Sequence, residues 1–491
     1  MPRGIKAKKF SFLSQAECRL IHEGSCKVLV EAGVGTRHEQ AAKLFANHGA
    51  EVKNGRIKIP KELVERAVER TTKRMVLGAK DPENEILIDT KNPRIYYGTG
   101  GQALYVLRHR NSGFEKKQAV TQDLVDIVRI CERLNNVDFI TRPVEPDVPD
   151  EEMDLEKTRI FLENTTKHVN LANLIMAEKL PDILQAVQDK SLVSFISCVL
   201  VSPLNWADST AEKYMRIVEK DIPVALSSCP QAGTTAPLSE VGELVQVNAE
   251  ILSAVVLADL VRPGAKVLYR GIPITSNLHV DASPRWCQPD SIRRIALVSD
   301  LADYYGIPCC GTAAVSDEKE PTPQSLAEKA LGWVFETASG APFINSALGM
   351  LEQVMTVSPE QYIIDDMVLS RVKELFSDAR DIGLKKMAHL AVKDGLSMFG
   401  VHMDRGMKEE ISRRIEFILS RKEPYTKEYI EEQAHLIMEA VNSGKSSSKY
   451  MKASRKGLRK GWLFSGSRIE GTLRLDDVFR IRDEILDSGR R

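Results

Sequence analysis

PVALSSCPQAGTTAPLSE, residues 223–240, passes from strand to helix within eighteen positions. Pro223 to Leu226 is a short apolar run that ends in a turn of small polar residues, the pattern of a buried strand. The loop after it is built for contact rather than packing. Thr234, Thr235 and Ser239 are placed to cap a long apolar-periodic helix over roughly 240–260. The stretch is one βα unit, and in such units chemistry sits in the loop after the strand.

The unit recurs. Strand-like runs are RIYYG (94–98), VDFIT (137–141), HVNLA (168–172), SFISCVL (194–200), PVALS (223–227), KVLYR (266–270), IPCCG (307–311) and PFINS (342–346). Helical patterns lie near 121–133, 152–164, 178–189, 208–219, 240–260, 289–305, 323–338 and 359–375. Eight strands, each followed by a helix, predict an α/β fold, a closed parallel (β/α)₈ TIM barrel. A doubly wound open sheet is the alternative. Near-equal units and the lack of a GxGxxG after the first strand speak against it.

Flanking segments differ in period. Residues 1–92 predict an N-terminal helical subdomain: Ser14 as N-cap, Gly33 as a helix stop, helices near 38–48 and 60–72, and a small hairpin on Asn54-Gly55. The barrel is expected over 93–375, and 376–491 as a helical C-terminal extension. That extension contains a Ser/Lys-rich stretch, 443–460. From Lys445 to Lys460 it holds seven Lys/Arg and no acid. It reads either as a solvated linker between two ordered pieces or as a docking segment for an acidic partner or nucleic acid.

Composition narrows the class. The 68 basic and 68 acidic residues cancel, so charge gives no general argument for nucleic acid or membrane binding. No apolar run approaches a membrane span, and MPRGIKAKKF lacks an apolar signal core. Eight cysteines without CxxC or metal-ligand spacing predict reduced, mostly buried thiols in a cytoplasmic protein. Scattered histidines give no metal site. There is no HExxH, GxSxG or Walker loop.

Several stretches together resemble the trimethylamine methyltransferase superfamily, including its non-pyrrolysine, glycine betaine methyltransferase-like members. They are LIHEGSCKVLVEAGV, GAEVKNGRIKIPKELVERAV, RMVLGAKDPENEILID, the Tyr97–Gly101 strand end, the loop Pro230–Pro237, and GAPFINSALGMLEQ followed by SPEQYIIDD. Order and spacing carry the likeness over roughly residues 10–370. Where family members often show an Asp-Ser-Lys…Pro-Asp-x-Gln run, this chain has Ser316 to Gln324, SDEKEPTPQ. The resemblance implies a (β/α)₈ barrel. It also implies methyl transfer from a small methylated amine to the Co(I) of a corrinoid on a separate partner protein. The chain itself lacks the Asp-x-His-x-x-Gly pattern of corrinoid carriers. Trimethylamine members rely on pyrrolysine, and none is written here, which favours a quaternary, betaine-like amine.

That chemistry needs little acid–base machinery. Co(I) is the nucleophile, and a quaternary amine leaves as a neutral tertiary amine. The protein must hold the cation, aim one methyl and exclude water. Aromatic faces suit a cation without N–H groups; an Arg or a helix N-terminus suits a carboxylate. Strand-end candidates are Tyr96, Tyr97, Phe139, Trp206, Tyr269 and Phe343, with Arg142 and Arg270 for a carboxylate. Alternation puts one of Tyr96 and Tyr97 inside the barrel and the other outside. Core packing is the leading competing reading for each aromatic, an ion pair with Glu145 for Arg142, and a barrel cap for Arg270. His279, Thr234, Thr235, Asp317 and Gln324 are polar candidates in the loops, with Asn173 and Ser202 weaker. No catalytic residue is assigned. Two other readings stay open: a different barrel enzyme on a small metabolite, and a non-catalytic amine-binding or regulatory protein. A homo-oligomer is compatible with either.

Overall fold

The computed structural model describes residues 4–110, 113–377 and 382–488. Its centre is a ring of eight parallel strands: β1 (Tyr96–Thr99), β2 (Phe139–Thr141), β3 (His168–Asn170), β4 (Val193–Ser197), β5 (Val224–Ser228), β6 (Val267–Gly271), β7 (Cys310–Thr312) and β8 (Phe343–Leu348). Seven neighbouring pairs form ladders in chain order, with β8 returning to β1 through Phe343 opposite Tyr96. Between β6 and β7 the ring closes on one bridge, Tyr269 with Cys309. There the Tyr269 N–H donates to the Pro308 carbonyl at 2.8 Å. The eight-stranded barrel is therefore the architecture, and all eight expected runs are its strands.

A helix follows each strand: α1 (Thr121–Arg133), α2 (Asp150–Asn164), α3 (Leu180–Val187), α4 (Asp208–Glu219), α5 (Glu240–Val261), α6 (Pro289–Tyr305), α7 (Pro323–Ser339) and α8 (Pro359–Ser377). Boundaries follow local chemistry. α6 starts on Pro289 and stops at Gly306, whose φ of 61° is left-handed. Ser239 caps α5 by accepting from the Gly242 N–H. Thr234 and Thr235, expected to help cap it, do not: Thr235 Oγ1 accepts from the Gln231 N–H, and Thr234 Oγ1 sits 2.9 Å from Ser276 Oγ. They tie the loop to itself and to the next one.

α5 is long and apolar enough by length and composition to cross a membrane, yet it is buried almost throughout. It has no wet face, and its polar residues, Glu243, Gln246, Glu250 and Ser253, are buried with the rest. The barrel covers one side, and the helices Gln15–Glu31, Lys61–Arg70 and Lys427–Asn442 cover the others.

At the N-terminal end of the barrel, the hairpin Arg74–Leu77/Ile86–Asp89 closes the lumen. Its Met75, Leu77, Ile86 and Ile88 pack with the inward-facing Tyr96, Phe139, Ile196, Ala225, Leu268, Cys310 and Phe343 in one apolar cluster. His168 fastens the hairpin to the wall through Gly78 O, 2.8 Å from its Nδ1.

The basic stretch is not a linker. Ser446–Arg459 is a helix, with Tyr450, Ser454 and Gly457 buried along one side. The Tyr450 hydroxyl donates to Gln246 Oε1 of α5 at 2.9 Å. Periodicity was obscured because its buried face is small and polar.

Candidate functional site

Strand alternation fixes what enters the lumen. From Phe139, Cys310 and Phe343 in the apolar cluster, two residues onward are Thr141, Thr312 and Asn345, one layer nearer the mouth. Arg270 stands in the same layer, two residues past Leu268. Its Nη1 donates to Ser227 Oγ at 2.6 Å, and Nη2 to Thr312 Oγ1 at 3.1 Å and Asn345 Oδ1 at 3.3 Å. Asn345 Nδ2 in turn donates to Thr141 Oγ1 at 2.5 Å. One guanidinium thus gathers four strands, β5, β7, β8 and, through Asn345, β2. Arg270 is 6% exposed, its Nε has no partner, and among the described residues no carboxylate pairs with it. A cation this deep ordinarily carries a counter-charge, because desolvation costs several kcal/mol.

Above this layer the wall opens. Cys198 and Cys229, just past β4 and β5, are both solvent-accessible. Cys229 is nevertheless hemmed in enough that desolvation pushes its thiol up to about 12. A side chain lining a recess has both properties. Gln102, Ala172, Ala314 and Ser346 hold left-handed backbone at or just beyond strand ends β1, β3, β7 and β8. Such strain at one rim marks a shaped opening. Trp286, in the loop ahead of α6, lines a small cavity with Thr312 and Ala313 past β7, Ile292 and Ile295 of α6, and Gly332 and Glu336 of α7, between the barrel wall and its outer helices. Its indole N–H is buried and unpartnered.

The sequence candidates scatter around this geometry. Tyr96 faces the lumen, but its hydroxyl meets the Leu87 N–H of the closing hairpin, at the far end from the mouth. Phe139 and Phe343 stack on each other, centroids 3.7 Å apart, as a dry floor. Tyr97 and Tyr269 point outward: Tyr97 bonds Thr337 of α7, with Lys373 Nζ 4.7 Å from its ring, and Tyr269 donates to Asn248 of α5. Trp206 is buried against Phe45 and donates to Ser253 Oγ. Arg142, fully buried outside the lumen, pairs with Glu145 at 2.6 Å.

The loop candidates sort the same way. His279 is exposed in the loop after β6. Asp317 accepts from the Trp286 N–H and Gln288, and burial beside Glu328 lifts its carboxyl to about 7. Gln324 donates to Glu328 and accepts from the Ile469 N–H, joining the seventh loop to the C-terminal extension. Asn173 donates to Gln102 Oε1, and Ser202 to Glu250. Of the candidates, Arg270 alone reaches the open part of the lumen with a charge.

Sequence reading passed over Thr312, Asn345, Cys198, Cys229 and Trp286. Period-two counting from the strand starts points to the first four. Trp286 lies fifteen residues past β6, in SPRWCQPD, where only its place before a Pro-led helix hints at it.

A family profile described as Trimethylamine methyltransferase (MTTB) matches residues 3–399. The chain is 30% identical over 384 residues to the trimethylamine methyltransferase MttB of Methanosarcina barkeri, covering 75% of this chain and 77% of that one. It is 25% identical over 376 residues to a glycine betaine methyltransferase of Desulfitobacterium hafniense (strain Y51), covering 73% and 76%. Among solved structures, the Methanosarcina barkeri monomethylamine methyltransferase (MtmB) aligns with a TM-score of 0.49 at 12% identity, over 89% of this chain and 95% of that one.

Proposed function

Because the chain belongs to the trimethylamine methyltransferase family, we propose that it moves a methyl group from a small quaternary amine bearing a carboxylate to the Co(I) of a corrinoid held by a separate protein. The observation that carries the carboxylate is Arg270, a buried guanidinium below the mouth of the barrel with no counter-ion among the described residues. A substrate carboxylate supplies the missing charge. Ser227, Thr312 and Asn345 fix the plane of the fork that receives it.

The remaining roles follow from position. A methylated cation has no N–H to donate and is held by an aromatic face; Trp286, half-buried in the loop after β6, is the candidate for the ammonium end. The Phe139–Phe343 floor keeps water from below. No side chain need give a proton, because the amine departs neutral. The corrinoid, when its carrier is docked, supplies the methyl acceptor. Exposed apolar side chains on the loops after β1, β4, β6 and β8 (Leu104, Val201, Val280 and Met355) fit a carrier face laid over the opening. Eight free thiols suit a cytoplasmic setting.

The test is spectroscopic. The chain is mixed with free Co(I) corrinoid and, separately, with a corrinoid protein, in the presence of glycine betaine, tetramethylammonium or trimethylamine. Loss of the Co(I) absorbance is expected with the betaine and little with the other two. No methylation with any amine sinks the reading. Equal rates with tetramethylammonium remove Arg270 from it.

A further inference from the structure

The family profile matches residues 3–399, and the helix Ser446–Arg459 lies beyond that match. Its buried side is anchored to the mouth end of α5. Tyr450 bonds Gln246, and Gly457 packs on Leu238, just past the loop after β5. The segment that follows crosses the same rim. Leu463 packs with Ala232 and Leu238, and Arg285, from the loop after β6, donates to Phe464 O at 3.1 Å.

The outer side carries Lys452, Arg455 and Arg459 at helical spacing, joined by Lys460; all four are exposed. Among the described residues none of them pairs with a carboxylate, whereas Lys449 pairs with Glu439. Together they edge a groove of about 640 Å³ with an apolar floor that includes Leu238, Leu436 and Trp462. Four cations without a carboxylate partner among the described residues raise the local potential beside the mouth, on a chain of zero net formal charge.

We propose that this stripe docks an acidic face of the corrinoid-carrying protein and steers it over the mouth; the proposal rests on the function argued above. Nucleic acid fits the surface less well. Glu432, exposed on the neighbouring helix Lys427–Asn442, lines the same groove, and an extended phosphate backbone laid along it would meet that carboxylate. A folded protein meets the stripe with its own acids and keeps them clear of Glu432. Charges at such a rim set association rate and salt dependence more than the final contact energy.

The experiment separates docking from chemistry. Binding of the intact chain to a holo corrinoid protein is measured without amine, at 50 and 300 mM KCl, for wild type and the triple variant K452E/R455E/R459E. Methylation of free Co(I) corrinoid is measured alongside, and melting confirms that the variant is folded. The expected result is association at least tenfold slower in the variant and in wild type at high salt, with the free-corrinoid rate unchanged. Wild-type binding insensitive to salt, a variant that binds like wild type, or no binding to the corrinoid proteins tried overturns the proposal. So does a duplex DNA oligomer that binds through these charges where the corrinoid protein does not. Charge-dependent binding without any methylation leaves docking standing and defeats the catalytic reading. Methylation untouched by the charges does the reverse.

Discussion

Phe139 stacks on Phe343 with ring centroids 3.7 Å apart and planes 12° from parallel, over β1, which separates β2 from β8. Each ring spends a face on the other, so the pair serves as a floor, not a cage. The stack depends on Gly98 of β1, because a Cβ there would fall inside the Phe139 ring.

Gly98→Ala therefore forces the floor apart. Overpacking of this kind costs about 1–3 kcal/mol, read as a lower denaturant midpoint with an unchanged slope. A Gly98→Ala protein as stable as wild type would mean that the ring has room to move.

Arg270→Lys keeps a charge but loses the fork. Hydrogen bonds to charged groups contribute about 1.5–3 kcal/mol, so KM for a betaine should rise roughly tenfold to a hundredfold. KM for tetramethylammonium should not change. A parallel rise for both would assign Arg270 to holding the strands together.

Arg142 gives the contrasting case. It is buried outside the lumen against Glu145, with Lys157 and Asp154 forming a second fully buried pair beside it. Arg142→Met leaves Glu145, about a quarter exposed, without its cation while Asp154 keeps Lys157; a loss of about 1–3 kcal/mol is expected. Chemical denaturation should register it, while the preference for carboxylated over uncarboxylated amines stays as it was.

His168 makes stability pH-dependent. Burial between Gly78 O and Ser194 Oγ lowers its pKa from 6.5 to about 4. Below pH 6.5 the unfolded chain takes up a proton that the native state refuses, so unfolding is favoured progressively down to about pH 4. The loss from this one group reaches about 3 kcal/mol. Urea midpoints at pH 7 and pH 4.5 should differ less in His168→Gln than in wild type. Equal differences would show that His168 accepts its proton in place.

Why the sequence reveals the ring so fully and the site so poorly is visible in single pairs of residues. Buried parallel strands read as uninterrupted apolar runs, and helices carry their own starts and stops, as Pro289 and Gly306 do. Which way a strand faces is not written in such a run. Tyr269 and Arg270 are neighbours, yet one bonds a helix outside and the other lines the mouth. That parity is set by register with β5, a tertiary fact. Thr234 and Thr235 had the chemistry of caps but found nearer acceptors and donors within the loop. Trp286 belongs to no strand, so no period leads to it.

The hairpin Arg74–Leu77/Ile86–Asp89 makes the barrel a blind chamber. A molecule that reaches the layer of Arg270 entered through the opening between the loops and can leave only by the same route. A macromolecule seated over that opening blocks both. Under the proposed function the order of events is set: the amine enters before the corrinoid protein seats, and the demethylated product leaves after that protein departs. Exchange of partners, not passage through the barrel, sets the shortest possible cycle.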